Sequence, residues 1–193
     1  YKLTIIESLS TPMFLHELDR FPNAGKSTLL AALSNATPKI APYAFTTLHP
    51  NIGVIQYSDG MGISVADIPG LIDGAHENRG LGHDFLKHID RTKTILYVID
   101  GIGTEGREPH KDLESLIHEL ENYDPFMLNK RSFVFANKDD LTNDHNCHLK
   151  SQLIDYTKQR GLALLWGSAN TGEGIAALAH QLRIEIERTT TQH

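Results

Sequence analysis

An α/β fold with a mainly parallel sheet and helices on both faces is the architecture this sequence predicts. Three observations lead to it. Short apolar runs such as 94–99 and 133–136 alternate with stretches whose apolar residues recur at helical spacing. A Gly25-Lys26-Ser27 turn opens the first good helix-forming stretch, Thr28-Leu29-Leu30-Ala31-Ala32-Leu33. The 193 residues are 40% hydrophobic and 22% charged, enough for one domain with a sizeable core.

The chain begins irregularly. Residues 1–7 predict a strand and Met13-Phe14-Leu15-His16-Glu17-Leu18 a short helix. A phosphate-binding loop normally follows a buried apolar strand directly, and Glu17-Leu18-Asp19-Arg20 is poor material for one. Either residues 1–6 take the central strand's place with an unusual loop behind them, or that strand is missing from this chain.

Residues 21–27 read Phe-Pro-Asn-Ala-Gly-Lys-Ser. Backbone of this kind wraps a phosphate chain. Gly25 lets the main chain approach the anion, Lys26 brings a positive charge to the outer phosphates, and Ser27 offers a hydroxyl to magnesium. Asn23 and Ala24 precede these residues and Thr28 follows them. The helix at 26–35 points its N–H groups and dipole at the same anion. The loop pattern calls for glycine at the position of Arg20, where a left-handed turn by any other residue costs about 1–2 kcal/mol.

Residues 36–50 predict a loop, because Pro38, Pro42 and Pro50 forbid a long helix. Residues 51–57 alternate like an edge strand, and Ser58-Asp59-Gly60 turns the chain back into a strand at 63–68 as a hairpin. A glycine-rich stretch at 69–82 leads to a helix beginning near Phe85, then the buried strand 94–99 and a loop at 101–108. Leu113, Leu116, Ile117 and Leu120 form one helical stripe. Next come the strand 133–136, a helix at 149–160 closed by Gly161, and a last strand at 162–166. A final helix carries Ile175, Leu178, Leu182 and Ile186 on one face.

Downstream of the phosphate loop, further elements carry chemistry. Thr46-Thr47 can bring a hydroxyl to the metal and an N–H to a terminal phosphate, which makes the loop's order depend on that phosphate. Asp67-Ile68-Pro69-Gly70 ends an apolar strand. The Asp67 carboxylate can hold a magnesium-bound water, and Gly70 can present its N–H to the terminal phosphate. Asn137-Lys138-Asp139-Asp140 ends another strand and discriminates best. Asp140 can accept both the N1–H and the exocyclic amine of guanine, whereas adenine offers the opposite polarity, and sites built on such bonds reject the wrong partner by roughly 10⁴–10⁵. Lys138 packs its stem over the base or braces the phosphate loop. Ser168-Ala169-Asn170 offers backbone N–H groups to the guanine carbonyl. Taken singly, Thr-Thr carries no information, Asp and Gly are common turn formers, and Ser168 reads as a helix entry; their weight lies in order and spacing.

In this order the elements resemble a translation-factor-class GTPase domain, and the fuller run narrows the resemblance to the Obg family. It rests on 21–27, on Pro42-Tyr43-Ala44-Phe45-Thr46-Thr47-Leu48-His49-Pro50-Asn51-Ile52-Gly53, and on Ala66 through His76 continuing from Gly80 to Ile89. The similarity spans about residues 21–188. It implies a P-loop NTPase fold of the Ras-like G-domain kind, with the first strand atypical or missing: residues 1–20 an atypical N-terminal segment, 21–190 the GTPase domain. It also implies a GTP-hydrolysing switch assisting large ribosomal subunit assembly. Lys26, Thr47 and Gly70 would act on the γ-phosphate, and Ser27, Thr47 and Asp67 would surround Mg²⁺. The nucleotide would lie among Asn23–Thr28, Phe45–Thr47, Asp67–Gly70, Asn137, Lys138, Asp140, Ser168, Ala169 and Asn170. Relatives usually contact ribosomal RNA through a glycine-rich N-terminal domain that this sequence lacks. Leu71 stands where many GTPases orient water with glutamine, which implies slow intrinsic turnover, and Asn23 matches the asparagine of potassium-stimulated members. The loop near 101–109 is similar to organellar members, so a mitochondrial setting is expected, with the bacterial cytoplasm as the alternative. The competing reading is a non-binding or catalytically dead fragment, on account of Arg20 and the absent strand.

The formal charge of −6 opposes a whole-chain nucleic-acid glove, and no apolar run approaches the roughly 20 residues that span a bilayer. A lone Cys147 suits a reducing compartment, and His83, His88 and His145 lack metal-ligand spacing. The chain starts at Tyr1 without a signal peptide and is read as part of a longer one; a monomer is expected.

Overall fold

The computed structural model describes residues 2–6, 12–16, 24–34, 39–40, 51–68, 94–123 and 125–190. Among them the strands are β1 (Lys2–Ile6), β2 (Pro12–His16), β3 (Lys39–Ile40), β4 (Asn51–Gln56), β5 (Gly62–Ile68), β6 (Thr94–Asp100), β7 (Arg131–Asn137) and β8 (Ala163–Trp166). The helices are α1 (Lys26–Leu33), α2 (Pro109–Tyr123), α3 (Cys147–Gln159) and α4 (Ile175–Thr190). The strands form one sheet in the order β3-β4-β5-β1-β2-β6-β7-β8. From β2 through β8 the pairing is parallel, while β3, β4, β5 and β1 pair antiparallel.

Alternation along β6 divides the core. Leu96 and Val98 face α1 and α4, packing with Leu29, Leu30, Leu33, Phe133, Phe135, Leu178, Leu182 and Ile186. Ile95, Tyr97 and Ile99 face α2 and α3, packing with Leu113, Leu116, Ile117, Leu120, Val134 and Leu153. A strand buried on both faces reads as a near-continuous apolar run, and β6 is buried from Thr94 through Ile99, with the Thr94 hydroxyl the polar exception at its start. The stripes read from the sequence on α2 and α4 are therefore the two coats of the sheet. Where α1 crosses β4, Gly53 allows close approach: a Cβ there would stand 2.6 Å from Leu30 Cδ1. The hairpin turn is as expected, with the Met61 N–H on Asp59 Oδ1 at 3.1 Å and Gly60 at φ 85°.

Three expectations need correction. Of the stretch expected to be a helix at 13–18, residues 13–16 belong to strand β2, since Phe14, Leu15 and His16 pair with Ile95, Leu96 and Tyr97 and tertiary pairing overrides a short local preference; residues 17 and 18 lie outside the described residues. The central place foreseen for residues 1–6, or for an absent strand, is thus taken by β2. β1 lies antiparallel beside it and also pairs with β5, so the sheet still starts atypically. Finally, within the stretch 36–50 expected to be a loop, Lys39–Ile40 form the two-residue strand β3, which makes β3 rather than β4 the sheet's edge among the described residues; the rest of that stretch lies outside them. The helix expected near Phe85 lies outside the described residues.

Leu182 is fully buried between α4 and the sheet. Leu182→Ala is expected to lower the unfolding free energy by about 2–5 kcal/mol in urea denaturation, from lost transfer energy plus the cavity left behind. A loss below about 1 kcal/mol would mean that α4 is not part of the cooperative core.

Candidate functional site

The parallel strands β6, β7 and β8 all end at one edge of the sheet, where Asp100, Asn137 and Ser168 sit at or just beyond their carboxyl ends. This is the edge at which open α/β sheets bind ligands. β5 runs parallel to β2, pairing Met13 with Val65, so Asp67 and Ile68 finish at the same edge. Backbone bonds tie the strand ends together: the Gly101 N–H donates to Asn137 O at 2.9 Å, the Gly167 N–H to Ala136 O at 3.1 Å, and the Asp139 N–H to Gly167 O at 3.0 Å.

Asn137 joins the loops. Its side chain is buried, its Nδ2 donates to Ala24 O at 2.5 Å, and its Oδ1 accepts the Ala169 N–H at 2.8 Å. One amide thereby clamps the turn ahead of α1 to the turn after β8. Gly25 lies beneath this clamp at φ 83°, and a Cβ on it would meet Asn137 Nδ2 at 2.5 Å. Glycine is required here twice, by backbone angle and by space. The start of α1 carries no side-chain cap and no acidic residue in its first turn, which leaves its N–H groups and dipole to an anion. Ser27 and Thr28 are exposed there. Ser168 is buried, and its Oγ accepts the N–H groups of Asn170 at 3.2 Å and Thr171 at 3.1 Å, shaping the turn that holds Ala169.

Residues of the Asn-Lys-Asp-Asp stretch diverge. Asp139 turns away from the clamp: its Oδ1 accepts Lys150 Nζ at 2.5 Å and Thr142 Oγ1 at 2.8 Å. Asp140 is exposed, and among the described residues its carboxylate accepts no hydrogen bond. Lys138 adopts φ 68°, alone among the described non-glycine residues in the left-handed region. Its Nζ donates to Asp100 Oδ2 and to Thr104 Oγ1, each at 2.9 Å.

Sequence reasoning missed Asp100 and Thr104. The available signal was the carboxylate ending an apolar strand in register with Asn137. Asp100 also accepts the N–H groups of Ile102 and Thr104, each at 3.1 Å, and the Thr104 hydroxyl. Burial pushes its carboxyl up, but the bonds from Thr104 and Lys138, the Ile102 N–H and the Lys138 charge outweigh that push and hold it below its usual value. Asn23, Phe45, Thr46, Thr47, Pro69, Gly70 and Leu71 lie outside the described residues.

Residues 20–138 match the family described as 50S ribosome-binding GTPase. The chain is 49% identical over 162 residues to the GTPase Obg of Aquifex aeolicus, covering 84% of this chain and 47% of that protein. To the GTPase Obg of Lachnoclostridium phytofermentans it is 45% identical over 161 residues, 83% of this chain and 38% of that one. To a GTP-binding protein 10 homolog of Drosophila pseudoobscura pseudoobscura it is 51% identical over 149 residues, covering 74% and 39%. The chain thus spans less than half the length of these relatives. Among solved structures, a nucleolar GTP-binding protein 1 of Plasmodium falciparum superposes with a TM-score of 0.65 at 22% identity, over 92% of this chain and 87% of that one. The G domain of the T. maritima FeoB iron transporter gives 0.57 at 21%, over 91% and 96%. At such identities these structures speak for the fold, a P-loop α/β domain.

Because the folded pKa of Asp100 lies below its unfolded value of about 3.9, the stabilisation it supplies is complete above about pH 4 and is lost as pH falls through the folded value. The stability difference between wild type and Asp100→Asn, read by urea denaturation, is therefore expected to be flat at neutral pH and to shrink below about pH 4. A difference that persists undiminished to about pH 2.5 would remove Asp100 as the titrating group.

Proposed function

From the premise that this chain belongs to the 50S ribosome-binding GTPase family, as a domain of the Obg type, we propose that it binds and hydrolyses GTP as a switch assisting assembly of the large ribosomal subunit. The observation carrying the reading is the Asn137 clamp, which joins an uncapped helix start to the turn of Ala169 and leaves the Asp140 carboxylate exposed. An anion site and a base-reading carboxylate are thereby held on one rigid edge.

Residue roles follow from chemistry. Gly25, Lys26, Ser27 and Thr28, with Asn23 and Ala24, cradle the phosphates. Asp140 accepts two hydrogen bonds from guanine, while the Ala169 N–H, expected to meet the base carbonyl, is given to Asn137 Oδ1 and the Asn170 N–H to Ser168 Oγ, so the Ser168–Asn170 turn serves to anchor the clamp. Lys138, its ammonium already held by Asp100 and Thr104, offers its stem to the base rather than its charge to the phosphates. The donor set Ser27, Thr47 and Asp67 is all hard oxygen, Ser27 is exposed at the helix start, and Asp67 ends a strand at the same edge. That set fits Mg²⁺, which when bound supplies positive charge to the phosphate oxygens. Around the terminal phosphate, Lys26 supplies charge and the Thr47 and Gly70 N–H groups orient it, with Phe45, Thr46, Ile68 and Pro69 shaping the two switch stretches. Leu71 donates no hydrogen bond to water, so intrinsic turnover is slow and an activating partner is required. We place the protein in mitochondria, with the bacterial cytoplasm as the alternative, and take it to act as a monomer with the ribosome contact made outside these residues.

GDP at about 100 times its dissociation constant is expected to add about 2.7 kcal/mol of stability in a thermal-shift series, with no response to ATP. Asp140→Asn is expected to move the preference from guanine to xanthine nucleotides. No response of the wild type to any nucleotide would favour the alternative, a chain that has lost nucleotide binding.

Asn23 offers an amide oxygen where K⁺ can add positive charge beside the phosphates. Replacing KCl with NaCl is expected to slow single-turnover hydrolysis, and equal rates in the two salts would remove that role.

A further inference from the structure

We infer that Asp100 and Thr104, which nothing above assigns to the nucleotide, are positioning residues that hold Lys138 in its base-facing orientation and so set guanine-nucleotide affinity. The inference rests on the reading of Asn137–Asp140 as the base-recognition element.

The geometry starts with strand register. Asp100, the last residue of β6, pairs with Asn137, the last of β7, so Lys138 leaves the sheet directly beside Asp100. The left-handed turn at Lys138 departs from the strand direction, and its side chain returns to the end of β6. There the ammonium meets a fork of two acceptors, Asp100 Oδ2 and Thr104 Oγ1, both at 2.9 Å. The fork is itself braced, because Asp100 accepts the Ile102 and Thr104 N–H groups and the Thr104 hydroxyl. The Lys138 and Asp100 side chains are only 19% and 15% exposed, so water competes weakly for the pair.

A lysine stem has many rotamers, and ordering it on contact with a ligand costs affinity. Here the far end is tied before any base arrives, with both tethers on the 100–104 turn, opposite the clamped Asn137. Loss of either tether is therefore expected to weaken binding through Lys138.

Binding of a fluorescent GDP is measured for Asp100→Asn, Thr104→Val, Thr104→Ser, Lys138→Met and the Asp100→Asn and Thr104→Val substitutions each combined with Lys138→Met. Asp100→Asn keeps an oxygen acceptor for the turn while removing the charge that holds Nζ, and is expected to weaken GDP binding about tenfold. Thr104→Val is expected to weaken it about threefold and Thr104→Ser to restore it. In the Lys138→Met background neither substitution should weaken binding further, as expected of residues acting through a shared partner. Should each substitution cost the same fold in both backgrounds, the inference fails and Asp100 merely shapes its turn. If Asp100→Asn does not fold, the Thr104→Val, Thr104→Ser and Lys138→Met set decides alone. Absence of GDP binding by the wild type would instead fail the functional reading beneath it.

Discussion

The buried amide of Asn137 is the interaction on which the site depends. An amide offers a donor and an acceptor at its two ends, and here each end meets a backbone group of a different loop, Ala24 O and the Ala169 N–H. Neither loop touches the other in sequence, and neither is held by the sheet ladder alone. Buried polar groups persist when they are paired, and this one is paired at both ends. The requirement for glycine at position 25 follows directly, since Asn137 Nδ2 fills the space a side chain would use.

Around that clamp the charged groups divide into paired and exposed ones. Asp139 and Lys150 pair on the flank, with the Lys150 ammonium also 4.3 Å from the centre of the Trp166 ring. Lys138 and Asp100 pair at the strand ends. Asp140, the last of the acidic pair, stays exposed. Two neighbouring aspartates thus differ in their surroundings because one faces a lysine of α3 and the other does not.

Much of this was legible in residue pattern. β6 and β7 announced themselves as apolar runs, and the stripes on α2 and α4 predicted which side chains coat the sheet. The Gly25-Lys26-Ser27 turn marked the start of α1, which runs from Lys26 to Leu33 where the sequence suggested about 26–35. Two stretches were misread. Residues 13–16 have apolar content that suits a helix or a strand equally, and only pairing with β1 and β6 decides between them. Lys39–Ile40 is too short to leave any period in the sequence, and it exists as a strand because β4 lies alongside.

The amino-acid sequence by itself determined the family: the order and spacing of the Gly25-Lys26-Ser27, Asp67-Ile68-Pro69-Gly70 and Asn137-Lys138-Asp139-Asp140 stretches. Those properties are local, set by side-chain type and by spacing along one element. Only the tertiary structure decided who holds whom: that Asn137 bridges two loops, that Lys138 is tethered by Asp100 and Thr104, and that β2 occupies the place ahead of α1. Those contacts join residues far apart in the chain, and the register that aligns Asp100 with Asn137 is a property of the sheet rather than of either strand.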